Sequence, residues 1–150
     1  MRTYEFYKTL NKPRWAPPRW LFGPVWTFLY ALIVISYGYV GYLFALNFVG
    51  FRSWVGIGPG AVSGASGIPS IALLPFILNL IFNLAFVPIQ FGLKHLRLAS
   101  LDVLLTLITL IWAMFAIYPY APWVVWINLP QLAWVCFATI LQFTVTSMNR

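Results

Sequence analysis

Two carboxamides, Asn79 and Asn83, stand one helical turn apart in a stretch that is otherwise almost wholly apolar, and Gln90 follows further along it. A spacing of four puts both amides on one helix face. Each carries a carbonyl acceptor and an NH2 donor, and in hydrocarbon both are costly without partners. Such groups either bond across to neighbouring helices or line a cavity and meet a ligand. Trp134 and Ala138 repeat the spacing in a second apolar stretch, where the small alanine leaves room beside the indole. Tryptophan favours the membrane–water interface. A mid-span indole is therefore either tightly packed or the flat wall of a pocket. Trp26, Tyr30, Ile33 and Tyr37 share a third helical face, an aromatic seam or a further wall. None of this is hydrolytic or metal chemistry. The sequence holds no Ser/His/Asp or Cys/His arrangement of plausible geometry, no carboxylate pair, and only Cys136 and His95 as soft or imidazole ligands. Flat apolar ligands with a few polar groups suit an aromatic, amide-lined cavity.

The stretch Lys12–Tyr30, KPRWAPPRWLFGPVWTFLY, precedes and opens the first apolar span. It sets Trp15, Trp20 and Trp26 among Pro13, Pro17, Pro18 and Pro24. Proline fixes the backbone and cannot donate a hydrogen bond. A proline-braced run of indoles reads as a semi-rigid aromatic lid over 12–22, more than a plain membrane anchor requires.

The elements that must position these groups are helices in a bilayer. Of 150 residues 62% are hydrophobic and 7% charged, with a mean hydropathy of +0.86. An ordinary soluble domain is about 25% charged. The apolar runs are continuous, not alternating, which excludes a transmembrane barrel. Four spans are predicted, over 23–46, 70–91, 99–118 and 123–146. At 1.5 Å per residue each can cross a core of about 30 Å. Pro88 and Pro130 are expected to kink or open their helices. Asp102 is expected at a helix start with Ser100 as a possible cap, or paired with a nearby cation. The connection over 47–69 is rich in Gly, Ser and Pro and lacks the lysine of a phosphate loop. No internal repeat supports an inverted-repeat transporter, and the N-terminal residues do not read as a cleavable signal peptide.

The net charge of +7 is distributed by topology. With four spans, Arg2, Lys8, Lys12, Arg14, Arg19, Lys94, Arg97 and Arg150 share one side, and Arg52 alone is on the other. The positive-inside rule places both termini and the lid in the cytoplasm, with a bacterial-type plasma membrane favoured. Nucleic-acid binding is not indicated, because no cationic cluster is dense enough.

KPRWAPPRW, GPVWTFLY (Gly23–Tyr30), Asn83-x-x-Phe86-x-Pro88 with Phe91-Gly92, ASLD (Ala99–Asp102) and LAWVCFATIL (Leu132–Leu141) occur in this order. In these motifs the chain resembles the TspO/MBR family, the tryptophan-rich sensory proteins related to the mitochondrial translocator protein. The resemblance implies an all-α membrane protein, in a family fold of five transmembrane helices that is usually dimeric, with a pocket opening toward the cytosol. The family's first helix precedes the KPRWAPP motif, whereas eleven residues stand before it here. The expectation is therefore a four-span bundle like helices two to five, with a second copy closing the open wall. The family binds porphyrins, haem and synthetic isoquinoline and benzodiazepine-type ligands, and sterols in mitochondrial members. By resemblance, Trp15, Pro17 and Pro18 belong to the lid, Trp26 and Asn83 line the pocket, and Trp134 and Ala138 form its wall. Tyr30 and Asn79 from the faces above, and Phe86 of the motif, complete the expected ligand-binding set. Porphyrin or haem is implied as ligand, with no covalently held cofactor and no metal site. Light- or oxidant-dependent porphyrin breakdown, with Trp26 and Trp134 as electron donors, and transport are the alternative activities implied. Tyrosines of the family are replaced by Leu129 and Gln131, its usual asparagine by Gln142, and often its tryptophan by Phe86. The last helix also lacks the tyrosine of the proposed cholesterol pattern, which argues against sterol transport.

Overall fold

The computed structural model describes residues 10–45 and 68–149. Those residues form helices and turns with no strand. Helix α1 runs Arg19–Ala45. A 3-10 turn, Ser70–Leu73, leads into α2, Leu74–Val87, and a π-helical turn, Pro88–Gly92, ends it. Helix α3 is Leu96–Ile117, the short α4 is Pro122–Ile127, and α5 is Leu129–Met148. Four stretches are long and apolar enough to cross a membrane: Trp20–Ala45, Ser70–Gly92, Leu96–Ile117 and Leu129–Met148. Most of the glycine-rich connection over 47–69 lies outside the described residues, as do Arg2, Lys8, Arg52 and Arg150 of the charge count.

Proline chemistry sets several helix ends. Pro75 and Pro130 occupy the first turns of α2 and α5, where the N–H has no partner within the helix and its loss costs little. Pro88 falls further along, so the ladder opens there. The chain widens into a π turn in which Leu93 N–H donates to the Pro88 carbonyl at 3.0 Å. Pro130 therefore starts a helix instead of kinking one. The fourth apolar run, expected to be continuous from Trp123, is broken at Asn128 into α4 and α5. Asn128 is buried, and its Nδ2 donates to the Val124 carbonyl at 2.7 Å, tying the two pieces together. The start of α3 also differs from expectation. His95 is the cap, accepting Leu98 N–H on Nδ1 at 3.4 Å, while the Ser100 hydroxyl donates back to the Leu96 carbonyl at 3.0 Å. Asp102 is thus nearly two turns inside the helix and buried, with Oδ2 lacking a partner among the described residues.

Helix α3 is the central post, packed along both α2 and α5. Helix α1 is held chiefly at its C-terminal half, against the 3-10 turn and α4. There Val40 and Leu43 join Ile68, Ala72, Phe76, Ala113, Ile117, Ala121 and Val124 in an apolar plug. The opposite end of the bundle carries the start of α1, the π turn, the start of α3 and the end of α5. Outward faces are strongly apolar, with Trp20 and Phe115 72% and 77% exposed, the pattern lipid selects. In lipid, helices gain little from burying apolar surface against each other, so packing and interhelical hydrogen bonds must hold them.

Candidate functional site

The four spanning segments converge on one cleft. Trp26 comes from α1, Asn83 and Phe86 from α2, Val103 and Thr106 from α3, and Val135 and Ala138 from α5. Four expected site residues, Trp26, Asn83, Phe86 and Ala138, are therefore together. The small Ala138 leaves the space on α5, and its neighbours along the helix wall it. The cleft is nearly shut, at about 20 Å3, close to the room one water needs.

The two asparagines on the α2 face have different surroundings. Asn79 is fully buried and satisfied. Tyr37 donates to its Oδ1 at 2.6 Å, and its Nδ2 donates to the Thr106 carbonyl at 2.8 Å and Thr109 Oγ1 at 3.2 Å. It joins α1, α2 and α3 and does not line the cleft. Asn83 is 3% exposed, and neither its Oδ1 nor its Nδ2 has a partner among the described residues. The Trp134 indole N–H, on α5 but not in the cleft lining, is likewise shielded and without a partner among the described residues. The Thr106 hydroxyl donates to the Asp102 carbonyl at 3.0 Å, so its one proton is not available to Asn83 Oδ1. An amide and an indole N–H without partners, in a dry helical interior, are a standing cost of about 1–3 kcal/mol per group. A polar guest removes it.

Aromatic rings close the region. Trp26 lies against Tyr30 with centroids 5.5 Å apart, so Tyr30 backs the wall without lining the cleft. Trp134 packs on Phe137 at 5.7 Å and edge-on to Phe22 at 5.8 Å. Trp15 of the lid segment meets Phe137 edge-on at 5.8 Å. Rings thus run from Trp15 through Phe137 and Trp134 to Phe22, spanning the gap between lid, α5 and α1. Pro17 is half-buried and Pro18 exposed, both bracing this segment and neither lining the cleft. Ala16 N–H donates to the Pro13 carbonyl at 3.0 Å, and Leu21 N–H to the Pro18 carbonyl at 3.1 Å. The segment's start is fastened to the end of α5. Asn149 Oδ1 accepts the Asn11 N–H and its Nδ2 donates to the Asn11 carbonyl, both at 2.9 Å.

Phe22, Phe137, Val103, Thr106 and Val135 were not singled out in the sequence. Phe137 was accessible to such reasoning, three residues after Trp134 on the same face. Val103 and Thr106 carried no signal, being ordinary residues of an apolar helix until α2 and α5 pack beside them. The remaining polar side chains are mostly glue. Gln142 Nε2 donates to Gln90 Oε1 at 3.0 Å, Ser100 and Thr146 hydroxyls meet at 2.7 Å, and Ser36 Oγ reaches Asn128 Oδ1 at 3.3 Å. Gln131 is fully buried and lies beside the Tyr37 hydroxyl.

The family model of TspO/MBR matches residues 1–148. The chain is 32% identical over 144 residues to the tryptophan-rich protein TspO of Bacillus cereus, covering 96% of this chain and 80% of that protein. It is 34% identical over 145 residues to the uncharacterized membrane protein YtaB of Bacillus subtilis, covering 97% and 81%. The translocator protein of Homo sapiens is 31% identical over 146 residues, covering 97% and 76%.

Proposed function

The chain belongs to the TspO/MBR family and is an integral, multi-pass membrane protein, and from that premise we propose that it is a receptor for tetrapyrroles, porphyrin or haem, or similarly flat apolar guests. The observation that carries this reading is an amide in the cleft, Asn83, and an indole N–H on α5, Trp134, both without partners among the described residues, with aromatic rings supplied by α1, the lid segment and α5. A macrocycle would stack on the indoles and present polar edge groups to Asn83 and Trp134. Pockets for ligands of this size are typically about 300–1,000 Å3, so the cleft must widen. The ring contacts between α1, the lid and α5 are the ones a flat guest can replace in kind. A sensory role, in the sense of the tryptophan-rich relatives, follows if that widening is the signal.

The same reading includes a homodimer, with both termini on the cytoplasmic face of a bacterial-type plasma membrane. The Asn11–Asn149 pair and the adjoining 94–97 turn support one shared, cation-bearing end. The test is a titration of the purified protein with protoporphyrin, followed by tryptophan quenching. Saturable quenching is expected, weakened about tenfold or more in Trp134→Phe and Asn83→Ala, since each removes one buried hydrogen-bonding group. Quenching no greater than that of an unrelated membrane protein, or untouched by either substitution, overturns the reading.

A further inference from the structure

At the lid end of the bundle, outside the aromatic cleft, a groove of about 340 Å3 is lined by Lys94, His95, Leu96, Arg97, Thr146 and Asn149. Two features distinguish it from a scattered set of surface cations. It is a concavity between the turn that follows the π-helical segment and the last turn of α5, so its walls come from two elements held together by hydrogen bonds. Thr146 Oγ1 donates to the Leu96 carbonyl at 3.3 Å, and Gln142 Nε2 reaches the same carbonyl at 3.5 Å. The turn itself is sharply folded. Lys94 adopts φ 54°, a left-handed conformation uncommon for a side-chain-bearing residue, and His95 is extended before α3 begins.

The groove's chemistry is that of an anion site. Lys94 and Arg97 supply cationic donors, and Arg can engage two phosphate oxygens at once. His95 Nδ1 accepts the Leu98 N–H, which leaves the ring's Nε2 as a donor in the neutral form. Asn149 and Thr146 wall the groove while their amide and hydroxyl protons bond to Asn11, Val145 and Leu96, and among the described residues no carboxylate lines it. The surroundings are apolar on the outside: Leu93 and Leu98, which flank these cations in the chain, are 68% and 44% exposed. A phosphate with hydrocarbon attached fits both parts, and basic pockets between transmembrane helices at the cytoplasmic boundary hold such headgroups.

We propose that this groove binds the phosphate of an anionic phospholipid, with Lys94 and Arg97 as the charged contacts and the acyl chains laid over Leu93 and Leu98. The site is independent of tetrapyrrole binding in the cleft. The experiment is native mass spectrometry of the whole protein released from detergent containing equal phosphatidylglycerol and phosphatidylcholine of the same acyl chains. Wild type is expected to retain phosphatidylglycerol preferentially, and the preference to fall by about fivefold for each of Lys94→Gln and Arg97→Gln. Raising ionic strength on the unmodified protein should erode the preference too, a readout that does not depend on a variant folding. Equal retention of the two lipids by wild type, or a preference unchanged in the Lys94→Gln/Arg97→Gln double variant, overturns the proposal. Displacement of the bound lipid by millimolar inorganic phosphate would reassign the groove to a soluble phosphate and overturn the lipid as its occupant. Resistance to that competitor supports the lipid.

Discussion

Asn79 and Asn83 carry the same side chain on the same helix face, and their neighbours give them opposite energetic signs. Asn79 links Tyr37 to the α3 backbone, so Asn79→Ala removes the acceptor of the Tyr37 hydroxyl and the tie to the Thr106 carbonyl. It should lower stability by about 0.6–1.7 kcal/mol, read as a fall in denaturant midpoint without porphyrin. Asn83 makes no hydrogen bond to any described residue. Asn83→Leu keeps roughly the same bulk and removes a buried, unpartnered amide, so it should raise stability by about 1 kcal/mol while weakening porphyrin binding. A destabilised Asn83→Leu protein would mean the amide already has a partner. The spacing of four was plain in the sequence, and so was the choice between glue and ligand contact. Which asparagine takes which role was not, because that depends on where Thr106 and Thr109 of α3 come to lie.

At the scale of elements, the proposed widening of the cleft falls to the lid segment and α1. The segment is fastened by the two hydrogen bonds of Asn149 and by the Trp15–Phe137 ring contact. Asn149→Ala removes the fastening while leaving the cleft lining intact. Porphyrin should then enter and leave several-fold faster in stopped-flow quenching, as expected for hydrogen bonds worth about 0.5–1.5 kcal/mol each. Rates equal to wild type would show that the segment does not gate access. The helices themselves were legible from continuous apolar runs. Their ends were less so, since Pro130 and Ser100 each fit two positions in a helix. The choice fell to Asn128, buried against Val124, and to His95, whose ring caps α3.

At the scale of the whole molecule, an apolar plug locks one end of the bundle while rings and a clasp hold the other. Binding should therefore open the lid end and leave the plug end unchanged. Spin labels at Pro18 and Phe143, both exposed, in a Cys136→Ser background should move apart by at least ~3.5 Å, one ring thickness, when porphyrin is added. A pair at Tyr42 and Trp123, near the plug, should keep its distance. Movement of both pairs would point to general loosening instead of a hinged opening. What the sequence determined by itself was the class of environment and the cast of residues: continuous apolar runs admit only helices in lipid, and the tryptophan, proline and amide motifs mark the TspO/MBR family. What only the tertiary structure decided was which polar atoms are left over. Hydrogen-bond satisfaction is a property of pairs from distant helices, so Asn83 and Trp134 without partners among the described residues, Asn79 fully used, and the near-closure of the cleft beside Asn83 could be read only once α1, α2, α3 and α5 had been packed together.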